Sequence, residues 1–200
     1  DHVKNMQVRK FISVGSFEDM SILSDESMIS YTEKLLGELN ISETKIKFWA
    51  QVTNLETKKC EYIDKGLMKL FLPASCAFPF LMPTIKIDEN TYIDGDIASG
   101  YGVDFLKARG SDIVIALDTG EYSYLSEHHS NLVNRILEPL TISLHKILEL
   151  DLKLNPPDLL ISNLGEDVKP LDFIESAKLV DTGHEKTIEI IDKIKGLVFE

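Results

Sequence analysis

The sequence predicts an α/β layer fold, with a parallel sheet covered by helices, and three patterns carry that expectation. Long segments repeat apolar residues at three- and four-residue spacing, as helices with one buried face do. One segment alternates apolar and polar residues with period two, as a strand with one buried face would. Two short runs, Ile113 to Leu117 and Leu159 to Ile161, are apolar without alternation. Strands buried on both faces of a helix-covered parallel sheet read this way.

Met28, Ile29, Thr32, Leu35, Leu36 and Leu39 give the first helix, over about residues 26 to 39. From Lys45 the period changes to two: Ile46, Phe48, Ala50 and Val52 share one strand face, and Asn54 to Lys59 reads as a polar turn. Gly66 to Leu72 predicts a short helix ending before Pro73, because the residue before a proline is pushed away from helical dihedrals. Ile85 and Ile87 predict a brief strand. After a turn at Glu89-Asn90, Thr91-Tyr92-Ile93 runs into Asp94-Gly95 as a hairpin with a sharp exit.

Val103 to Arg109 predicts a helix closed by Gly110. The run Ile113 to Leu117 follows as a strand. Leu132, Ile136, Leu140, Leu144, Ile147 and Leu148 continue a helical stripe that Pro139 should kink or divide. Leu159 to Ile161 is a further strand. Two closing helices are expected at about Leu171 to Val180 and Gly183 to Lys195, the second begun by the capping-box pattern Thr182-Gly183-His184-Glu185.

With 200 residues, one domain spanning residues 1–200 is expected. The 33 acidic against 21 basic residues leave a net charge of -12, which repels nucleic-acid phosphates and argues against a nucleic-acid partner. No apolar run approaches the roughly 20 residues that span a bilayer. Cys60 and Cys76 have no Cys-x-x-Cys spacing, so neither a zinc site nor a disulfide framework is signalled, and reduced thiols fit a cytoplasm-like compartment. Asp1 opens the chain without an initiator Met or an apolar signal region, as expected of a chain processed or cut from a longer one.

Four segments, in order, resemble the patatin-like phospholipase family, in particular its bacterial and neuropathy-target-esterase-related branch. The strand and turn Val52-Thr53-Asn54-Leu55-Glu56-Thr57-Lys58 is similar to the family's alternating strand with a Thr-Asp-Leu-x-Thr-Gly-like turn. Pro73-Ala74-Ser75-Cys76-Ala77-Phe78-Pro79 resembles its Ala-Ser-x-Ala-x-Pro segment, followed by Leu81-Met82-Pro83. Tyr92-Ile93-Asp94-Gly95 sits where the family carries Asp-Gly-Gly or Asp-Gly-Ala, ahead of a helix and the strand reaching Asp118. Leu171-Asp172-Phe173, with Ala177 and Gly183, resembles the closing segment.

The resemblance implies a three-layer sandwich with a mainly parallel central sheet flanked by helices, of which this chain is the C-terminal part. It implies hydrolysis of acyl lipid esters by a serine-aspartate dyad, with Asp94 as the catalytic base, and with Gly95, Ser75 and Pro79 as supporting motif positions. Ser75 would pack or hydrogen-bond near the site. No metal or other cofactor is implied. An acyl-lipid substrate implies peripheral membrane contact, for a protein whose reduced thiols fit a cytoplasmic location. Gly95 is expected to supply a sharp backbone turn that aims the carboxylate.

No glycine pair brackets a serine as G-x-S-x-G, so the nucleophile elbow and the family's oxyanion loop are missing from these 200 residues. The preserved order suggests a chain that starts after the nucleophile helix. Two further departures are Asp96, where the family has a small residue, and Ile97 to Gly102 in place of a stretch rich in Asn and Pro.

Taken alone, Asp-Gly is a turn. Ser16 lacks the second glycine of an elbow and reads as a loop serine, and His128-His129 reads as an exposed helix start because adjacent helical residues diverge. Two functions therefore stand side by side. One is the base-carrying part of a lipid acyl hydrolase; the other is a noncatalytic patatin-fold module for lipid binding or interaction, motivated by Asp96 and the Ser99-Gly100 stretch.

Overall fold

A computed structural model describes residues 24–79, 81–118, 132–162 and 176–199. These form a mixed α/β protein with six α-helices, a four-stranded antiparallel sheet and a two-stranded parallel sheet. The chain divides into two compact units, one closing at Ser99 and the other opening at Gly100.

In the unit through Ser99, α1 spans Asp25–Leu36. Ser24 caps it by accepting the Ser27 N–H, Asp25 and Glu26 sit at the positive end of the helix dipole, and Gly37 closes it at φ 60. A 3-10 turn at Ile41–Glu43 follows. The hairpin β1 (Ala50–Asn54) and β2 (Lys59–Ile63) comes next, then α2 (Met68–Ser75), β3 (Ile85–Ile87) and β4 (Asn90–Asp94). The sheet order is β2-β1-β4-β3, with every pairing antiparallel. Lys69 on α2 forms ion pairs with Glu33 (2.7 Å) and Glu38, tying α1 and its exit to α2.

Helix α2 differs from expectation because Pro73 lies inside it. Proline in a helix interior costs about 3 kcal/mol. Burial of Met68, Phe71, Pro73 and Ala74 against the sheet offsets that cost. The ring of Phe71 meets Tyr92 of β4 edge-on at 5.8 Å, and Val52, fully excluded from solvent, fills the centre of this core.

In the unit from Gly100, α3 (Val103–Ala108) precedes β5 (Ile115–Leu117), α4 (Leu132–Leu154), β6 (Leu159–Ile161), α5 (Ser176–Glu189) and α6 (Ile191–Phe199). Strands β5 and β6 pair in parallel, and the Asp158 carboxylate fixes their start by accepting the Val114 N–H at 2.8 Å. Parallel pairing is confined to these two strands among the described residues, whereas the sequence predicts a mainly parallel sheet. Ile115 and Leu117 are 38% and 60% exposed, so β5 is not covered on both faces as expected.

Helix α4 continues through Pro139 without dividing. Leu137, Leu144 and Leu148 line one buried face across the proline, and tertiary packing of such a stripe outweighs a single interruption. Gly183 lies within α5 and opens no helix, so the boundary expected at Thr182 is absent and the helices meet near Ile190.

Lys58 in the β1–β2 turn has φ 57, and Asp88 in the β3–β4 turn has φ 54. A left-handed backbone strains any side chain with a Cβ by roughly 1–2 kcal/mol. Replacing Lys58 by Gly is expected to raise unfolding stability by roughly 0.5–1 kcal/mol, the strain relieved less the entropy that glycine adds to the unfolded chain. A urea midpoint that falls would contradict the strain.

Candidate functional site

Asp94 is the last residue of β4 and stands opposite Val52 of β1. The chain leaves it at once into a 3-10 turn, Gly95–Ile97. Asp94 caps that turn, its Oδ1 accepting the Asp96 N–H at 3.0 Å. Its own N–H donates to the Ala77 carbonyl at 3.1 Å, and its carbonyl accepts the Thr53 hydroxyl at 2.8 Å. Three of the segments singled out in sequence thus meet at one residue: the β1 strand and turn, the Pro73 to Pro79 segment and Asp94-Gly95.

Supporting positions fall as follows. Ser75 ends α2, and half-buried Pro79 lies two residues beyond Ala77. Gly95 is buried and opens the tight 3-10 turn expected of it, without a positive φ. A Cβ there would sit 2.5 Å from Gln51 Cγ and 2.6 Å from the Gln51 carbonyl oxygen. Glycine is present because the turn is laid directly on the β1 backbone.

Beyond the turn, Tyr62 and Ser99 approach through their hydroxyls at 3.3 Å. In the other unit, Gly100 leaves no space for a side chain beside Asp151, whose Oδ2 accepts the Tyr101 N–H at 2.8 Å. Ser99 and Gly100 therefore meet packing demands of their own. Ala177 and Gly183 are both in α5. Ser16, His128-His129 and Leu171-Asp172-Phe173 lie outside the described residues.

Electrostatics set the half-buried Asp94 apart. Desolvation raises its carboxyl, the Asp96 N–H pulls it back, the Asp96 charge raises it again, and the result is pushed up to about 6. Cys76 reaches solvent at its surface, yet the protein packed round its sulfur, then Asp94 and Asp96, push the thiol up to about 11. It is a thiol at neutral pH and no nucleophile. Chemically, the arrangement offers a rigidly held carboxylate that is ionised at pH 7 and more basic than an ordinary one. Among the described residues no cluster of His, Cys, Asp and Glu is arranged to hold a metal.

The described residues thus define a mixed α/β protein with a strand-end aspartate whose backbone is bonded by two neighbouring segments and whose carboxylate accepts the Asp96 N–H. No protein-family model matches the chain. It is distantly similar to fungal proteins named lysophospholipase nte1. Those of Aspergillus niger and Aspergillus fumigatus are each 28% identical over 87 residues, 44% of this chain and 6% of theirs. The lysophospholipase of Phaeosphaeria nodorum is 23% identical over 146 residues, 72% of this chain and 10% of its own. The chain therefore corresponds to a small fraction of each relative. Among the described residues, no helix is long and apolar enough to cross a membrane.

Two variants test the site's packing and its charge. Gly95→Ala must displace the β1 backbone or the turn, and overpacking of this kind costs about 1–3 kcal/mol, read as a lower melting temperature. For Asp94, a folded-state value above the unfolded one means the folded protein binds the extra proton, so stability falls as pH rises through the acid range toward about 6. Asp94→Asn removes that cost and keeps an Oδ1 acceptor. It is expected to stabilise the protein by about 1–2 kcal/mol at pH 8, after discounting for solvent screening, and by far less at pH 4. Equal effects at both pH values would show that desolvation does not raise this carboxyl.

Proposed function

We propose that this chain is the base-carrying part of a patatin-like lipid acyl hydrolase, cleaving carboxylic esters of phospholipids or related acyl lipids. The observation that carries the reading is Asp94: a residue at a strand exit whose backbone is held by the β1 and Ala77 segments and whose carboxyl is raised to about 6. Distant similarity to lysophospholipases supports a lipid ester as the substrate class. The reading assigns residues 1–200 to a single three-layer patatin-like domain of the neuropathy-target-esterase-related branch. It also makes the protein cytoplasmic, touching the membrane only peripherally, where its substrate lies.

In this mechanism the nucleophilic serine comes from sequence outside these 200 residues. Its hydroxyl proton passes to Asp94 as Oγ attacks the ester carbonyl carbon, giving a tetrahedral intermediate. Collapse breaks the ester bond, the leaving alcohol takes the proton from Asp94, and an acyl-enzyme remains. Water then attacks the acyl carbon, again giving its proton to Asp94, and collapse returns that proton to the serine with release of the fatty acid. No step calls for a metal. A base poised near pH 6 stays ionised at neutral pH while accepting a proton more readily than an unperturbed carboxylate.

The test is to express the protein with its natural upstream sequence and treat it with a fluorophosphonate. A folded protein of this function is labelled on serine and hydrolyses a lysophospholipid, with a rate that rises through about pH 6. Asp94→Asn lowers kcat by about 10²–10⁴-fold, the usual contribution of general base catalysis. Absence of labelling, or unchanged hydrolysis in Asp94→Asn, would sink the proposal and favour the noncatalytic module.

A further inference from the structure

We infer that Thr53 is a positioning residue for Asp94, its buried hydroxyl clamping the carbonyls on both sides of the Asp94–Gly95 junction. The inference rests on the proposed role of Asp94 and adds a residue of β1 to that site.

Thr53 is 4% exposed, and its Oγ1 lies 2.8 Å from the Asp94 carbonyl oxygen and 3.3 Å from that of Gly95. Its register partner on β4 is Ile93, so the hydroxyl reaches past its own rung to the point where the strand ends. A single O–H is shared between two successive carbonyls. It holds the peptide planes on either side of Gly95, and those planes set the direction of the Asp96 N–H bonded to Asp94 Oδ1 at 3.0 Å. Gly95, pressed against the Gln51 backbone, blocks movement of the turn towards β1, while the Thr53 hydroxyl restrains movement away from it.

Thr53 does not touch the carboxylate and acts through the turn. Without the clamp, the Asp96 N–H is released from Oδ1 and the carboxyl loses the hydrogen bond that opposes desolvation. The ionisable groups whose charge Asp94 shares are Asp96 on the turn and Cys76 at the end of α2. Neither matches that bond, since one is a like charge and the other a thiol, whose S–H is a weak donor.

The experiment compares Thr53→Val, which keeps the shape and loses the donor, with Thr53→Ser, which keeps the donor. Carboxyl NMR follows the Asp94 titration, and amide NMR follows Asp96. Thr53→Val is expected to move the Asp94 midpoint upward by half a unit or more and to shift the Asp96 amide, while Thr53→Ser stays within a few tenths of wild type. In the protein carrying its nucleophile, Thr53→Val lowers kcat about tenfold with KM nearly unchanged, and its pH–rate profile moves with the titration. An unmoved or lowered midpoint in Thr53→Val, or a Thr53→Ser shift as large as that of Thr53→Val, overturns the inference. If Thr53→Val does not fold, Thr53→Ala provides the same comparison by the same criteria. The titration reads the clamp whether or not an ester is cleaved: a shifted midpoint beside an inactive wild type would retire the hydrolase and keep the clamp.

Discussion

The pairing of β1 with β4 is the constraint on which the site depends. Val52 lies opposite Asp94, and one residue along, Thr53 sends its hydroxyl to the strand end. At the other end of the paired stretch, the buried Asn54 side chain accepts the N–H groups of Glu56 and Thr57 and donates to Asn90. Both ends of the ladder are thus secured by side chains of β1. A slip of one residue would turn Val52 out of the core and carry Thr53 away from Asp94. Core burial and site geometry are consequently set by the same register.

Placing a carboxylate there costs stability, because the surroundings that hold it also desolvate it. One backbone N–H offsets part of that cost, and the second carboxylate, Asp96, adds to it. The site is therefore built from opposing terms, with rigidity from β1 and α2 holding the charged group in place. Structural need alone does not call for an acid at position 94, since an amide would cap the same turn without the charge.

Much of this architecture was legible in local patterns. Helix α1 follows from its apolar spacing and Ser24, and the β3–β4 hairpin from its alternation and turn residues. Strand β2, Lys59–Ile63, escaped because its residues are mixed and half exposed at a sheet edge, where the hydrophobic pattern is weakest. Pro73 reads as a helix stop and Pro139 as a kink or division, but the burial that carries both helices through comes from distant neighbours that sequence spacing does not reveal. Strand direction shows the same limit. The unalternating run at β5 was read as representative, while the alternating face of β1 belonged to an antiparallel sheet. At the site, the Asp94-Gly95 pair and its tight turn are visible in sequence, but the neighbour that excludes a side chain from Gly95 is not. Contact with Gln51 and the Thr53 clamp both arise from pairing register, which no single segment encodes.

Gly95 also bears on chemical ageing. Among aspartyl bonds, Asp-Gly is the most open to succinimide formation, because glycine has no side chain to hinder attack of its backbone nitrogen on the aspartyl carboxyl carbon. At Asp94 that route requires rotation away from ψ 135, which the Gln51 contact and the Thr53 bonds resist. The packing that presents the carboxylate thereby preserves the bond beside it. Isoaspartate at this position would accumulate in proportion to the fraction of time the β1–β4 ladder is open, making the linkage a slow chemical record of local unfolding.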